Sequence, residues 1–239
     1  MNLFRKLSLA AAAAVGLSSS AAFADAVTFD SAGDTVTLNY NGFADGTTVT
    51  GLTGSTTLTL TSITGTSYNF TYSVTNTTQD PVDSRISSFG FNTNPDISGA
   101  TSTGTYSFVD TGGNVPNGLG KIDVCFKAGG SNSCSGSGGA LDGQTGSGTL
   151  SLNFASAPSS LTLSDFFVRY QSITGAGNIT SATGSGTITS TGSTGSTGGT
   201  PVPEPGMLGL LGLGLIGVAL TRRRAQPSLR PMAPRLALA

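Results

Sequence analysis

The chain has 239 residues and a formal net charge of −1, but its charges are unevenly distributed along the sequence. Residues 25–200 contain four basic residues against eleven Asp and no Glu, a net charge of −7, whereas both ends are basic. The chain has no His, which excludes Ser-His-Asp and Cys-His catalysis and any metal site with a His ligand. The acidic middle excludes a basic nucleic-acid-binding surface.

The N-terminal residues have the three parts of a secretory signal peptide. Two basic residues precede an Ala-rich apolar stretch, and Ala22 and Ala24 form a cleavage site of the A-x-A kind. We therefore predict a signal peptide over residues 1–24, engaged by the export machinery and removed by signal peptidase. Cleavage after Ala24 would leave Asp25 as the first residue of the mature protein.

Residues 25–182 alternate apolar and polar side chains with a period of two, as in the segment from Tyr68 to Val74. This pattern indicates strands with one buried and one solvated face. Clusters of Gly, Asn, Asp and Pro separate about eight to ten such strands, which predicts one all-β domain, an antiparallel sandwich or jelly roll. Between Ser164 and Tyr170 the alternation slips by one residue, which predicts a β-bulge in an edge strand or in the wall of a site.

The sequence changes character after the predicted domain. Residues 183–201 are almost entirely Gly, Ser and Thr, which is typical of a flexible linker. Residues 202–224 start with a Pro-Glu-Pro turn, continue with an apolar segment and end with three arginines. As a helix, residues 206–221 would span about 24 Å, less than a hydrocarbon core of about 30 Å. The arginines would hold the C-terminal side in the cytoplasm.

This order resembles the PEP-CTERM sorting signal of Gram-negative bacteria, in which a Pro-Glu-Pro motif precedes a short membrane segment and an arginine-rich tail. The residues that carry the resemblance are Val202, Pro203, Glu204 and Pro205 in the motif and Arg222, Arg223 and Arg224 in the stop-transfer cluster. The resemblance implies that an exosortase recognises and removes this segment from a transient inner-membrane intermediate. It also implies release to the cell surface or extracellular space and a link to extracellular polysaccharide or biofilm material. Family members usually end soon after the arginines, whereas residues 225–239 extend further here and are predicted to form a cytoplasmic tail.

The two cysteines, Cys125 and Cys134, lie in the exported region, where disulfide bonds form and persist. Gly and Asn between them allow the loop to fold back. We predict a structural disulfide, because two thiols without His make half of a zinc site at best. A second resemblance, to the cistern group of PEP-CTERM proteins, rests on residues 124–126, 132–134 and 167–173, and it implies no known activity.

Carboxylates are the only candidates for acid-base chemistry. The Asp residues in or beside predicted strands and turns are Asp80, Asp83, Asp123, Asp142 and Asp165. We interpret them as turn formers or solvated charges, because sequence gives no sign that any two converge as a glycosidase pair would. We therefore predict no catalytic residue, no metal and no cofactor, and an isolated surface calcium site stays an alternative.

A sugar-binding site would need aromatic faces, and with no Trp it depends on Tyr and Phe. Most of these occupy inward-facing positions of the predicted strands, which favours a role in the core. Arg169 and Tyr170 are candidates for a small polar site, and Arg169 is equally compatible with pairing to an Asp. The sequence thus favours an exported structural or interaction protein of the extracellular matrix. The alternative is a secreted carbohydrate-binding or calcium-dependent adhesion domain.

Overall fold

A computed structural model describes residues 25–115, 120–131 and 133–192. Within these residues the protein is all-β, as predicted, with one short 3-10 turn at Gly104–Tyr106. The strands are β1 (Val27–Phe29), β2 (Thr35–Ala44), β3 (Thr47–Thr64), β4 (Ser67–Asn76), β5 (Asp83–Asn94), β6 (Gly99–Ser102), β7 (Phe108–Val115), β8 (Gly120–Lys127), β9 (Ala140–Leu141), β10 (Thr145–Asn153), β11 (Leu161–Thr174) and β12 (Ser181–Gly192).

These strands form one antiparallel sheet whose main path runs β6-β10-β4-β3-β2-β12-β11-β5-β8-β7, while β1 pairs with β11 and β9 with β5. The sheet curls so that its two halves face each other across the core. The rings of Tyr72 on β4 and Phe89 on β5 lie 5.1 Å apart between centroids, although four strands separate β4 from β5 along the path. The two layers expected of a sandwich are therefore two halves of one continuous sheet.

The period-two alternation places one face of each strand in the core. On β2, Val36, Leu38 and Tyr40 are buried, whereas Thr37 and Asn39 between them keep part or most of their surface in solvent. Thr suits this position because its β-branched side chain packs well on a pleated surface. Removal of the apolar side chains from water is the main term that holds the two halves of the sheet together.

The predicted β-bulge is present in β11. The register against β5 shifts between Ser164 and Phe167, and Asp165 adopts a positive φ of 52°. Phe166 and Val168 then belong to the main core, whereas Phe167 packs into a separate small cluster. The strand pairs with β12 on one side and with β5 on the other, so it is an interior strand, and of the two predicted alternatives the edge strand was wrong.

The predicted linker at 183–201 begins too early, because β12 continues to Gly192 and pairs with β2 as far as that residue. Its glycines look like linker residues in the sequence, but two of them face the core. A Cβ at Gly184 would lie 3.0 Å from Tyr170 Cε2, and one at Gly186 would lie 2.9 Å from Tyr40 Cε1. Glycine is required at these positions because the tyrosine rings occupy the space that a side chain would need.

Candidate functional sites

The predicted disulfide joins Cys125 on β8 to Cys134 in the loop that follows, with 5.8 Å between the two Cα atoms. The Ser88 hydroxyl donates a hydrogen bond to the Cys134 carbonyl at 2.9 Å, which fixes the loop over β5. Both cysteines pack with Phe167 in the small apolar cluster. The disulfide therefore closes the loop onto the outer face of the sheet. There it covers Phe167, the side chain that the bulge in β11 turns away from the main core.

A cleft of about 470 Å³ lies beside this disulfide, and its walls include Asp110, Ile122, Cys125 and Cys134. The Asp110 carboxylate accepts a hydrogen bond from the buried Lys127 ammonium at 2.5 Å. In the described part of the chain this is the only salt bridge. Asp110 is the one carboxylate among the described walls of the cleft, and it is paired with Lys127.

Loss of the disulfide should destabilise the domain measurably. The loop-entropy relation gives about 3 kcal/mol for a bridge that closes about ten residues. We therefore expect the Cys125→Ser/Cys134→Ser double variant to lose about that much free energy of unfolding in urea titrations. Alkylation provides the control: both thiols of the exported wild-type protein should stay unmodified until a reductant is added. Modification without reduction would contradict the pairing.

The Asp residues singled out in the sequence serve separate local roles. Asp123 accepts a hydrogen bond from the Thr93 amide at 2.7 Å, and Asp165 accepts one from the Asn92 side chain at 2.9 Å. Asp83 accepts one from the Thr174 hydroxyl at 3.1 Å, and Asp80 precedes the cis proline in the β4–β5 turn. In residues 25–115, 120–131 and 133–192, no three His, Cys, Asp or Glu side chains converge as metal ligands.

Asp142 takes part in a buried network centred on Asn76, which was not predicted from the sequence. The fully buried Asn76 amide donates to Asp142 Oδ1 at 2.9 Å and to the carbonyls of Ser84 and Ala140 at 3.2 Å. Its Oδ1 accepts the Thr78 amide at 3.1 Å. The network ties the end of β4 to β5 and β9. Asn76 follows Tyr72 and Val74 in the series of inward-facing residues on β4. A polar residue at such a position is the sequence signal that could have revealed the network, because buried polar groups need hydrogen-bond partners.

Arg169 and Tyr170 do not form a joint polar site, because they project from opposite faces of β11. Tyr170 lies in the core, where burial raises the pKa of its phenol. Arg169 is 8% exposed and donates hydrogen bonds to the Thr183 and Ser181 hydroxyls, each at 2.9 Å. Burial lowers the pKa of its guanidinium. The arginine is thus held by hydroxyls and not by an Asp.

The predicted mature N-terminus lies against the sheet. The Asp25 carboxylate accepts a hydrogen bond from the Ile188 amide of β12 at 2.5 Å. The other predicted cleavage residues, Ala22 and Ala24, lie outside the described residues, as do residues 193–239 with the motif at 202–205 and the arginines at 222–224. No helix of sufficient length and apolarity to span a bilayer occurs in the described part of the chain.

The comparison with protein families decides the nature of the C-terminal segment. Residues 201–224 match the PEP-CTERM protein-sorting motif. The chain carries a PEP-CTERM motif. The PEP-CTERM motif implies an exported protein that is directed to the cell envelope and processed by an exosortase. No curated protein and no solved structure matches the chain, and the narrower resemblance to the cistern group is not confirmed.

Proposed function

We propose that this protein is exported, sorted by an exosortase through a transient inner-membrane intermediate, and displayed at or released from the surface of a Gram-negative cell. There it acts as a non-enzymatic structural or interaction component of extracellular polysaccharide or biofilm material. The PEP-CTERM motif at residues 201–224 carries this proposal. The signal peptide predicted at residues 1–24 supplies the export step that exosortase sorting requires.

The properties of the β domain agree with an extracellular role. Its disulfide suits an oxidising compartment. Its Asp side chains form hydrogen bonds within separate turns and strands, an arrangement that serves structure. Of the alternatives, carbohydrate binding is favoured over calcium-dependent adhesion by one feature, a face of the sheet that consists of uncharged hydrogen-bonding side chains.

Processing can be tested by intact mass spectrometry of the protein recovered from its native host. We expect a chain that starts at Asp25 and has lost the arginine cluster 222–224. A variant with Pro203→Ala, Glu204→Ala and Pro205→Ala should keep its C-terminal segment and stay in the membrane fraction, because the exosortase would no longer recognise it. A mature wild-type chain that still ends at Ala239 would overturn the proposal.

A further inference from the structure

One outer face of the sheet consists of Thr, Ser and Asn alone. It comprises every second residue, starting with the first, of the ranges 35–41 on β2, 53–59 on β3, 69–75 on β4 and 145–151 on β10. None of these side chains is buried, and none is charged or apolar. The apolar residues between them, such as Leu38, Leu58 and Phe70, lie in the core. We call this surface the hydroxyl face.

The register aligns the hydroxyl face into rows across neighbouring strands. Thr35 pairs with Thr59, Thr59 with Thr71, and Thr71 with Thr149, so four threonines lie side by side. Neighbours in a row are about 4.8 Å apart, and successive rows are separated by about 6.7 Å along the strands. The surface is therefore a repeating two-dimensional array of hydrogen-bonding groups.

Hydrogen bonds between strands hold several of these side chains in fixed positions. The hydroxyls of Thr35 and Thr59 lie 3.0 Å apart, and those of Thr75 and Thr145 lie 2.8 Å apart. Each hydroxyl has one donor and two acceptor positions, so a partner within the sheet leaves capacity directed toward solvent. Because the side chains are already ordered, a ligand would incur little of the entropic cost of immobilising them.

A groove adjoins one end of the hydroxyl face, where β6 lies next to β10. Its volume is about 250 Å³, and its walls include Asn69, Thr101, Thr103, Thr149 and Ser151. Asn69, Thr149 and Ser151 belong both to the groove and to the hydroxyl face. The groove therefore continues the flat array into a concave site with the same uncharged chemistry.

The lack of charge on this face points to a neutral ligand. Residues 25–200 include eleven Asp and four basic residues, yet none of them occupies the hydroxyl face. A charged polymer would find no opposite charge to pair with there. An uncharged ligand rich in hydroxyls would replace the hydrogen bonds that the face makes to water with direct hydrogen bonds. Each replacement would give a small net gain in binding free energy.

We propose that the hydroxyl face and its groove bind an uncharged polysaccharide, laid across the rows of threonines. This inference rests on the proposed extracellular role and names the ligand class. No aromatic side chain of the face stacks on a sugar ring, so affinity depends on many weak hydrogen bonds along an extended chain. Polymers are therefore bound, and monosaccharides are not.

The test uses the exported protein in co-sedimentation with three insoluble neutral polysaccharides, namely cellulose, amylose and galactomannan gels, and with a polygalacturonate gel. Binding to at least one neutral gel is expected, with weak binding to polygalacturonate and no competition by glucose. The Thr35→Val/Thr59→Val variant removes two hydroxyls of the face but keeps the β-branched shape. It should bind about tenfold more weakly, because two hydrogen bonds to the ligand are lost.

The matched control is Thr28→Val/Thr162→Val. These two hydroxyls also lie 3.0 Å apart on paired strands, β1 and β11, but outside the hydroxyl face. This variant should bind like the wild type, and far-ultraviolet circular dichroism should show that both variants keep the folded β structure. The proposal is overturned by failure to bind all three neutral gels, by equal losses in the two variants, by preference for polygalacturonate, or by a dimer that occupies the face.

The failure of one proposal can be distinguished from the failure of the other. A protein whose mass shows correct processing but that binds no neutral gel would refute polysaccharide recognition and leave the sorting role intact. A protein that keeps residues 222–239 would refute the sorting role whatever it binds.

Discussion

Raising the pH from about 8 to about 11 should lower the free energy of unfolding of the β domain by about 4 kcal/mol. Tyr40, Tyr106 and Tyr170 are buried, and burial raises the pKa of each phenol. In the unfolded chain these phenols ionise near pH 10, whereas in the folded protein they stay protonated. Above pH 10 the folded state binds more protons than the unfolded state, so alkali favours unfolding.

Because the pKa of each phenol is higher in the folded protein, the contribution of the three tyrosines to the free energy of unfolding is complete below pH 10. It is lost as the pH rises further. Each fully protonated buried phenol contributes about 1.4 kcal/mol per pH unit above 10. Urea unfolding followed by far-ultraviolet circular dichroism at pH 8, 9, 10 and 11 measures the effect. Tyr40→Phe is the control variant, because it should reduce the loss at pH 11 by about a third. A free energy of unfolding that stays constant to pH 11 would contradict the prediction.

Sequence patterns predicted much of the fold because burial enforces them. Tyr68, Phe70, Tyr72 and Val74 alternate along β4, and the structure buries all four. The slip at Asp165 was visible because a bulge changes the phase of the apolar residues. These signals are local, since each depends on which face of a single strand is buried. The curl of the sheet is not local, because it depends on which distant strands pair.

The linker boundary was misjudged for a related reason. Gly184 and Gly186 have the composition of a flexible tether, but their role depends on Tyr170 of the preceding strand and on Tyr40 of β2, which is distant in sequence. Composition cannot distinguish a glycine that makes the chain flexible from one that makes room for a ring. The pairing of β12 with β11 and β2 places these glycines against the rings, and strand pairing is a property of the tertiary structure.

The same distinction between local sequence signals and long-range strand pairing applies to the candidate sites. The disulfide was predictable, because the chain has two cysteines in an exported region. The positions of Arg169 and Tyr170 were not, because the bulge decides which face each one takes. The hydroxyl face needed the register as well: Thr35, Thr59 and Thr149 are distant in sequence and form one row only through three strand pairings.

Phe89→Ala should be the most damaging single substitution of those discussed, at about 4 kcal/mol. The side chain is 1% exposed. Its ring centroid lies 5.1 Å from that of Tyr72, 5.3 Å from that of Tyr106 and 5.2 Å from that of Phe126. These rings come from both halves of the curled sheet and from the 3-10 turn. Truncation would remove the apolar contacts and leave a cavity that the surrounding strands cannot close.

Phe108→Ala provides the matched control, because Phe108 is 48% exposed on β7. The same chemical change there should cost less than about 1 kcal/mol, since little buried surface is lost. Urea unfolding of both variants at neutral pH compares them directly, and Phe89→Leu should fall between the two because it fills part of the cavity. Equal losses for Phe89→Ala and Phe108→Ala would contradict the packing of the two halves around Phe89. A natural domain has only about 5–15 kcal/mol of stability, so the expected loss at Phe89 should bring the protein close to its unfolding threshold.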